Sequence, residues 1–330
     1  MNPIRRSVAA ILLGSAILAL VGVVPSPANA QHTRLPYRVG VLNDATAANH
    51  PVVDGLKAGL RDLGLEEGRD VLFDVRLTDG TPERIRAAAD ALTSAGVDVI
   101  FTSGDAATRA AGAATQTIPI VFTLVGDPVG AGIVKSLAHP AGNLTGVSSL
   151  TTELIPKRLE VLKALVPTLR RVWAISYGAD PASGAAITRA AEASPRFGLE
   201  VMPQAVLTQE ELAQILERVR PGDALLVPDI ATIDLSAVLL ETSLARRIPA
   251  VFSAGLWVSH GGLVSYGADY RAQGAQAARL VRKILHGARP RDLPVERAHP
   301  IFLAVNLKTA AAFGLVAPRT VLFRAEVIRR

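Results

Sequence analysis

Val97-Asp-Val-Ile-Phe101, Asp105 to Thr115 and Ile118-Pro-Ile-Val-Phe122 follow one another closely: a β-rich run, an Ala-rich helical stretch, then a second β-rich run. Two strands separated by a helix of this length cannot form a hairpin. They read as a crossover between parallel strands, buried on both faces. Upstream, the pattern repeats. Tyr37-Arg-Val-Gly-Val-Leu42 is a short strand, and Val53, Leu56, Leu60 and Leu63 recur at helical spacing before Gly64 stops the helix. Val71 to Leu77 alternates as a strand, and Thr81-Pro82 opens a helix running through Leu92. The series breaks at Leu137 to Ser149, a stretch rich in Gly, Pro, Asn, Thr and Ser that reads as a crossing between domains.

A second series begins with the helix of Leu154, Leu159, Leu162 and Leu165. Strand Val172 to Ile175, helix Ala185 to Arg196 and strand Leu199 to Met202 follow, then a helix opened by the capping box Thr208-Gln-Glu-Glu211. Strand Ala224 to Val227, helix Leu235 to Arg246 and strand Pro249 to Phe252 continue it. Gly261 to Gly267 and the Pro-rich Ala288 to Pro300 read as two further crossings, the last leading to strand Ile301 to Val305 and helix Lys308 to Phe313. The expected fold class is α/β, with two doubly wound parallel-sheet lobes joined by a multi-crossing hinge. The expected limits are 31–146 with 268–290 for the N-terminal lobe, and 147–267 with 291–330 for the C-terminal lobe.

Three hundred and thirty residues suit two such lobes. Half the chain is hydrophobic (49%) and 19% is charged, against about 25% in an average globular chain, so disorder is excluded. Only 4% is aromatic, which leaves Val, Leu, Ile and Ala to build the cores. The net charge of +6 is scattered rather than gathered along one helix, so no nucleic-acid partner is expected. Without cysteine there are no disulfides, thiolate zinc sites or iron–sulfur clusters. Arg5-Arg6, the apolar Val8 to Val24 and Ala28-Asn-Ala30 form the three parts of a secretory signal peptide. Residues 1–30 are therefore expected to be removed, which sends a mature chain beginning at Gln31 to the periplasm. No cysteine follows to carry a lipid anchor.

Ligands of open α/β sheets bind at the carboxyl ends of the strands, and two lobes place those ends around one cleft. Five aspartates fall there: Asp44, Asp105, Asp127, Asp180 and Asp229. Each alone also suits a turn, and Asp105 suits a helix cap. Together they describe a cleft of negative potential fitted to an ammonium group. Asn43 and Ser103 add uncharged hydrogen-bonding groups at strand ends, with Ser148 and Tyr266 near the crossings and Tyr177 after a second-lobe strand. Tyrosine there can stack on a planar ligand or simply pack in a core, and Trp257 carries the same two readings. The six histidines show no metal-binding spacing and read as solvated loop residues. No Gly-x-Ser-x-Gly elbow, Walker loop or Gly-x-Gly-x-x-Gly follows a strand, so catalysis, metal and cofactor have no support.

Longer collinear segments carry a resemblance. They include Gly59-Leu-Arg-Asp-Leu-Gly64, Gly126-Asp-Pro-Val-Gly130, Ser136-Leu-Ala-His-Pro140, Gly142-Asn-Leu-Thr-Gly146, Lys157-Arg-Leu-Glu-Val-Leu162, Gly261-Gly-Leu-Val-Ser-Tyr-Gly267 and Asn306-Leu-Lys-Thr-Ala310. Over residues 37 to 325 the chain resembles the substrate-binding proteins of ABC importers, in the tryptophan/tyrosine-type branch. The resemblance implies a type I periplasmic-binding fold, no enzymatic activity, a small-molecule solute, an inner-membrane ABC permease as partner, and a monomer. Where relatives carry a neutral helix cap, this chain has Asp105-Ala106, which sets an acid at a helix start able to receive a ligand carboxylate. Rival readings are a sensor module presenting its closed form to a receptor and an exported enzyme on the same fold.

Overall fold

The computed structural model describes residues 35–43, 50–78, 80–178, 181–227 and 233–329. The first series comprises β1 (Tyr37–Asn43), α1 (Pro51–Asp62), β2 (Val71–Leu77), α2 (Pro82–Ser94), β3 (Val99–Ser103), α3 (Asp105–Ala114), β4 (Ile120–Val125) and β5 (Leu144–Ser148). The second comprises α4 (Thr151–Leu165), β6 (Arg171–Tyr177), α5 (Pro181–Ala193), β7 (Glu200–Val206), α6 (Gln209–Arg218), β8 (Ala224–Leu226), α7 (Ile233–Arg246), β9 (Ala250–Phe252), α8 (Gly255–Ser259) and β10 (Val264–Ala268). The chain then returns through α9 (Tyr270–Leu285) and β11 (Glu296–Arg297), and closes with β12 (Ile301–Asn306), α10 (Leu307–Ala312), α11 (Arg319–Leu322) and β13 (Val327–Arg329).

Two sheets result, in the orders β11-β5-β4-β3-β1-β2 and β13-β12-β10-β9-β8-β6-β7. Every described pairing is parallel except β10 with β12. Each lobe is therefore a sheet covered on both faces, as the spacing of strands and helices predicts. In the first lobe, Val41, Phe101 and Val121 pack toward α1 and α9, while Leu42, Ile100 and Ile120 pack toward α2 and α3. In the second, Ala174 and Val251 share a core with α4 and α5, and Trp173 and Leu225 share the other with α6 and α7.

Two segments read as crossings contain strands. Leu137 to Ser149 holds β5, and Gly261 to Gly267 overlaps most of β10. Their glycines suggest loops but serve close approach inside the sheet. A Cβ on Gly146 would lie 2.3 Å from the Phe122 carbonyl oxygen, and one on Gly267 would lie 1.8 Å from that of Ser253. The first sheet also takes in Val147 and Ser148, and Glu296 and Arg297 through β11, which lie beyond the expected limits at 146 and 290. The chain leaves the first sheet after Ser149 and again after Ala298, whose amides still donate to the first-sheet carbonyls of Val125 and Ser148, and returns from the second sheet at 269.

Helix ends follow local chemistry. α1 starts at Pro51, with the His50 side chain accepting from the Val52 amide, and beyond its end Gly64 adopts φ 86°. Thr208 accepts from the Glu211 amide, while the Glu211 carboxylate returns to the Leu207 amide, one residue before the cap. α9 reaches the first lobe because it can lie almost against α1. A Cβ on Gly274 would stand 1.9 Å from the Val52 carbonyl oxygen, and one on Gly55 would stand 2.0 Å from that of Arg271.

Candidate functional site

The carboxyl ends of β1 and β3 align in one register row with Thr123, two residues before the end of β4: Asn43 opposite Ser103, and Ser103 opposite Thr123. All three share the face of Val41, Phe101 and Val121, beneath α9. All three are buried. Asn43 takes the Thr78 amide on its carbonyl, and the Thr123 hydroxyl donates to the Thr102 carbonyl. The Ser103 hydroxyl oxygen has no hydrogen-bond partner in the protein. A buried hydroxyl without a protein partner costs about 1–3 kcal/mol, which sets Ser103 apart from Thr123 in the same row.

Asp105 is buried at the first position of α3 rather than at its cap. Gly104 holds the cap because the backbone there takes φ 92°, ψ 164°, a region closed to residues with a side chain. The acid thus stands at the positive end of the helix, directly after the Ser103 row. Asp127 lies on the turn after β4, where its Oδ1 accepts from the Gly130 amide at 2.8 Å. That is the turn role open to it from sequence. Ser148, paired with Val125 at the end of β5, is buried; its hydroxyl donates to the Gly126 carbonyl at 3.5 Å and accepts from the Leu150 amide at 3.4 Å.

In the second lobe, Tyr177 is the last residue of β6, opposite Val206. Asp44, Asp180 and Asp229 lie outside the described residues. Tyr266 lies on β10, where its ring packs against the core cluster of Ile155 and Leu159 and its carbonyl accepts from Arg158 Nε at 2.8 Å. Trp257 is buried and stacks on Phe252, with ring centroids 6.0 Å apart. Both aromatic rings belong to cores. Among the described residues no cluster of His, Asp or Glu is placed to hold a metal.

Several polar residues at the seam between the lobes escaped the sequence reading. Ser253, directly after β9, has its hydroxyl 3.5 Å from that of Tyr270, so the second lobe touches the start of α9. Gln273, on the same helix, is buried with its Oε1 lacking a partner. The strand-end rule that selected Ser103 also selects Ser253. Tyr270 and Gln273 carried no such signal, since their helix reaches the first lobe only through the fold. His50 differs from the other described histidines, which are exposed. It is buried, and burial lowers its pKa to about 4 against the opposing pull of Asp54.

Comparison with known proteins places this geometry. Residues 43–328 match the family described as ABC transporter substrate binding protein. The tyrosine-binding protein of Clostridioides difficile is 29% identical over 272 residues, which span 81% of this chain and 78% of that protein. A Streptococcus pneumoniae ABC domain in complex with L-Trp superposes with a TM-score of 0.83 at 26% identity, covering 89% of this chain and 99% of its own. A conserved domain protein from Vibrio cholerae gives 0.79 at 28% identity, with the same coverage. The two parallel-dominated lobes have the type I periplasmic-binding architecture. With nearly the whole described chain matched, the protein belongs to the ABC transporter substrate-binding family.

Proposed function

We propose that this chain is the extracytoplasmic binding component of an ABC importer, closing its lobes around an aromatic amino acid and delivering it to a permease. The observation that carries this reading is the buried row at the strand ends, with the Ser103 hydroxyl lacking a protein partner, in a chain matched to the family over residues 43–328. The relatives that bind tyrosine and L-Trp supply the ligand class.

Asp105 orients the solute. A carboxylate buried at the start of α3 repels a ligand carboxylate and attracts an α-ammonium, so the amino end faces α3. Asn43, Ser103 and Ser148 then provide neutral hydrogen-bonding groups, while Asp127 shapes the turn beside them. The solute drives closure because it contacts both lobes only in the closed form. Export follows from the N-terminal segment, with the mature chain starting at Gln31.

The test is calorimetric titration of the mature protein with L-tryptophan, L-tyrosine, L-phenylalanine and, as a control, L-leucine. Saturable one-to-one binding of an aromatic member supports the reading. Absence of binding by all three aromatic acids overturns it.

A further inference from the structure

We infer that the seam between the lobes carries a second small-molecule site, distinct from the strand-end row, that takes a compact aromatic amine. A cavity of about 410 Å³ opens there. Pro51, Asp269 and Tyr270, at the starts of α1 and α9, form its first-lobe side, and Leu256, Phe302 and Ala304 its second-lobe side. Asn43, Ser103, Asp105, Asp127 and Ser148 are not among its lining residues. The volume lies within the range of metabolite-sized pockets, roughly 300–1,000 Å³.

The walls specify the chemistry. Leu256, Phe302, Pro51 and the alanines offer an apolar bed for a ring. Among the described lining residues the one formal charge is the Asp269 carboxylate; behind them His50, kept neutral by burial, stacks on Tyr270, and the Arg158 guanidinium stands against Gly267 with its Nε on the Tyr266 carbonyl. Asp269 Oδ1 caps α9 by accepting from the Ala272 amide at 2.8 Å, which leaves Oδ2 to receive an ammonium from the cavity. Because the walls come from both lobes, an occupant favours one lobe arrangement. Its binding and that of the strand-end solute are therefore coupled reciprocally.

Phenethylamine, phenethyl alcohol and phenylacetate are the probes, titrated by calorimetry and ligand-observed NMR into the mature protein with and without saturating L-tryptophan. Two variants accompany them. Asp269→Asn keeps a cap acceptor while removing the charge, and Ser259→Trp narrows the cavity from the surface of α8. The expected result is that phenethylamine binds more tightly than the alcohol or the acid and binds alongside L-tryptophan with altered affinity. It should weaken at least tenfold in Asp269→Asn and in Ser259→Trp, with both melting temperatures preserved. The site is overturned if phenethylamine fails to bind at millimolar concentration, if L-tryptophan simply displaces it, or if both folded variants bind it as the parent does. Amine binding that depends on Asp269 in a protein that ignores every aromatic amino acid would uphold this site and sink the importer reading.

Discussion

The imidazole of His50 lies against the ring of Tyr270, with centroids 5.8 Å apart and planes 23° from parallel. His50 caps α1, Tyr270 opens α9, and the Tyr270 hydroxyl reaches Ser253 at the end of β9. One chain of contacts thus joins two helix starts of the first lobe to a strand end of the second. Burial disfavours a positive imidazolium there, outweighing the attraction of Asp54.

Acid should loosen this contact chain. His50 titrates near 4 in the folded protein against 6.5 in its unperturbed form. Between those values the unfolded chain binds the extra proton, so stability present above pH 6.5 declines as pH falls toward 4, by up to about 1.4 kcal/mol per unit. His50→Asn, which keeps a cap acceptor but does not titrate, should flatten that part of the profile. Urea unfolding of both proteins from pH 7.5 to 4 checks this; parallel profiles would remove His50 as the cause.

Ser103→Ala should separate binding from folding. Its hydroxyl has no protein partner, so its removal leaves unliganded stability unchanged or slightly higher, while solute affinity falls by about 0.5–1.5 kcal/mol. Asp127→Ala should do the reverse, losing the turn bond to Gly130 and about 1 kcal/mol of stability with affinity preserved. Thermal unfolding beside calorimetric titration distinguishes the pair.

Two glycines should respond oppositely to the same change. Gly274→Ala drives a methyl to 1.9 Å from the Val52 carbonyl oxygen and should cost about 1–3 kcal/mol or more as α9 lifts from α1. Gly184→Ala, on α5 with no atom within 4 Å of the added carbon, should stabilise by up to about 1 kcal/mol. Melting temperatures that shift alike would contradict the described helix contact.

Asp223 holds together the start of β6. Its buried carboxylate accepts from Trp173 Nε1 at 2.9 Å, Arg171 Nε at 2.9 Å and the Arg220 amide at 3.0 Å. Burial opposes its charge, but these hydrogen bonds outweigh it and hold the pKa below the ordinary carboxylate value. Its contribution is therefore present above that ordinary value and is lost as pH falls below it. Asp223→Ala strands the Trp173 indole N–H and should cost about 3 kcal/mol in urea unfolding, whereas Asp223→Asn should cost less.

The sequence by itself determined the two α/β series, because apolar periodicity and turn residues are local properties that each segment carries wherever it lies. It also placed Asn43 and Ser103 at strand ends, since a strand boundary and a polar residue are read together, whereas Ser148 read as part of a crossing and proved to end β5. The tertiary structure alone decided which contacts the polar and aromatic residues make. Asp127 and Gly130 close a turn, Tyr266 and Trp257 pack into cores, and Gly104 rather than Asp105 caps α3, each through the backbone geometry or packing around it. Gly146 and Gly267 read as loop residues because their composition is the same whether glycine permits a turn or the approach of a neighbouring strand. Only the position of Phe122 and Ser253 distinguishes the two. The meeting of His50, Tyr270 and Ser253 was likewise beyond sequence, because it depends on α9 returning from the second series to lie on α1, a contact set by Gly55 and Gly274 and by no local pattern near the site.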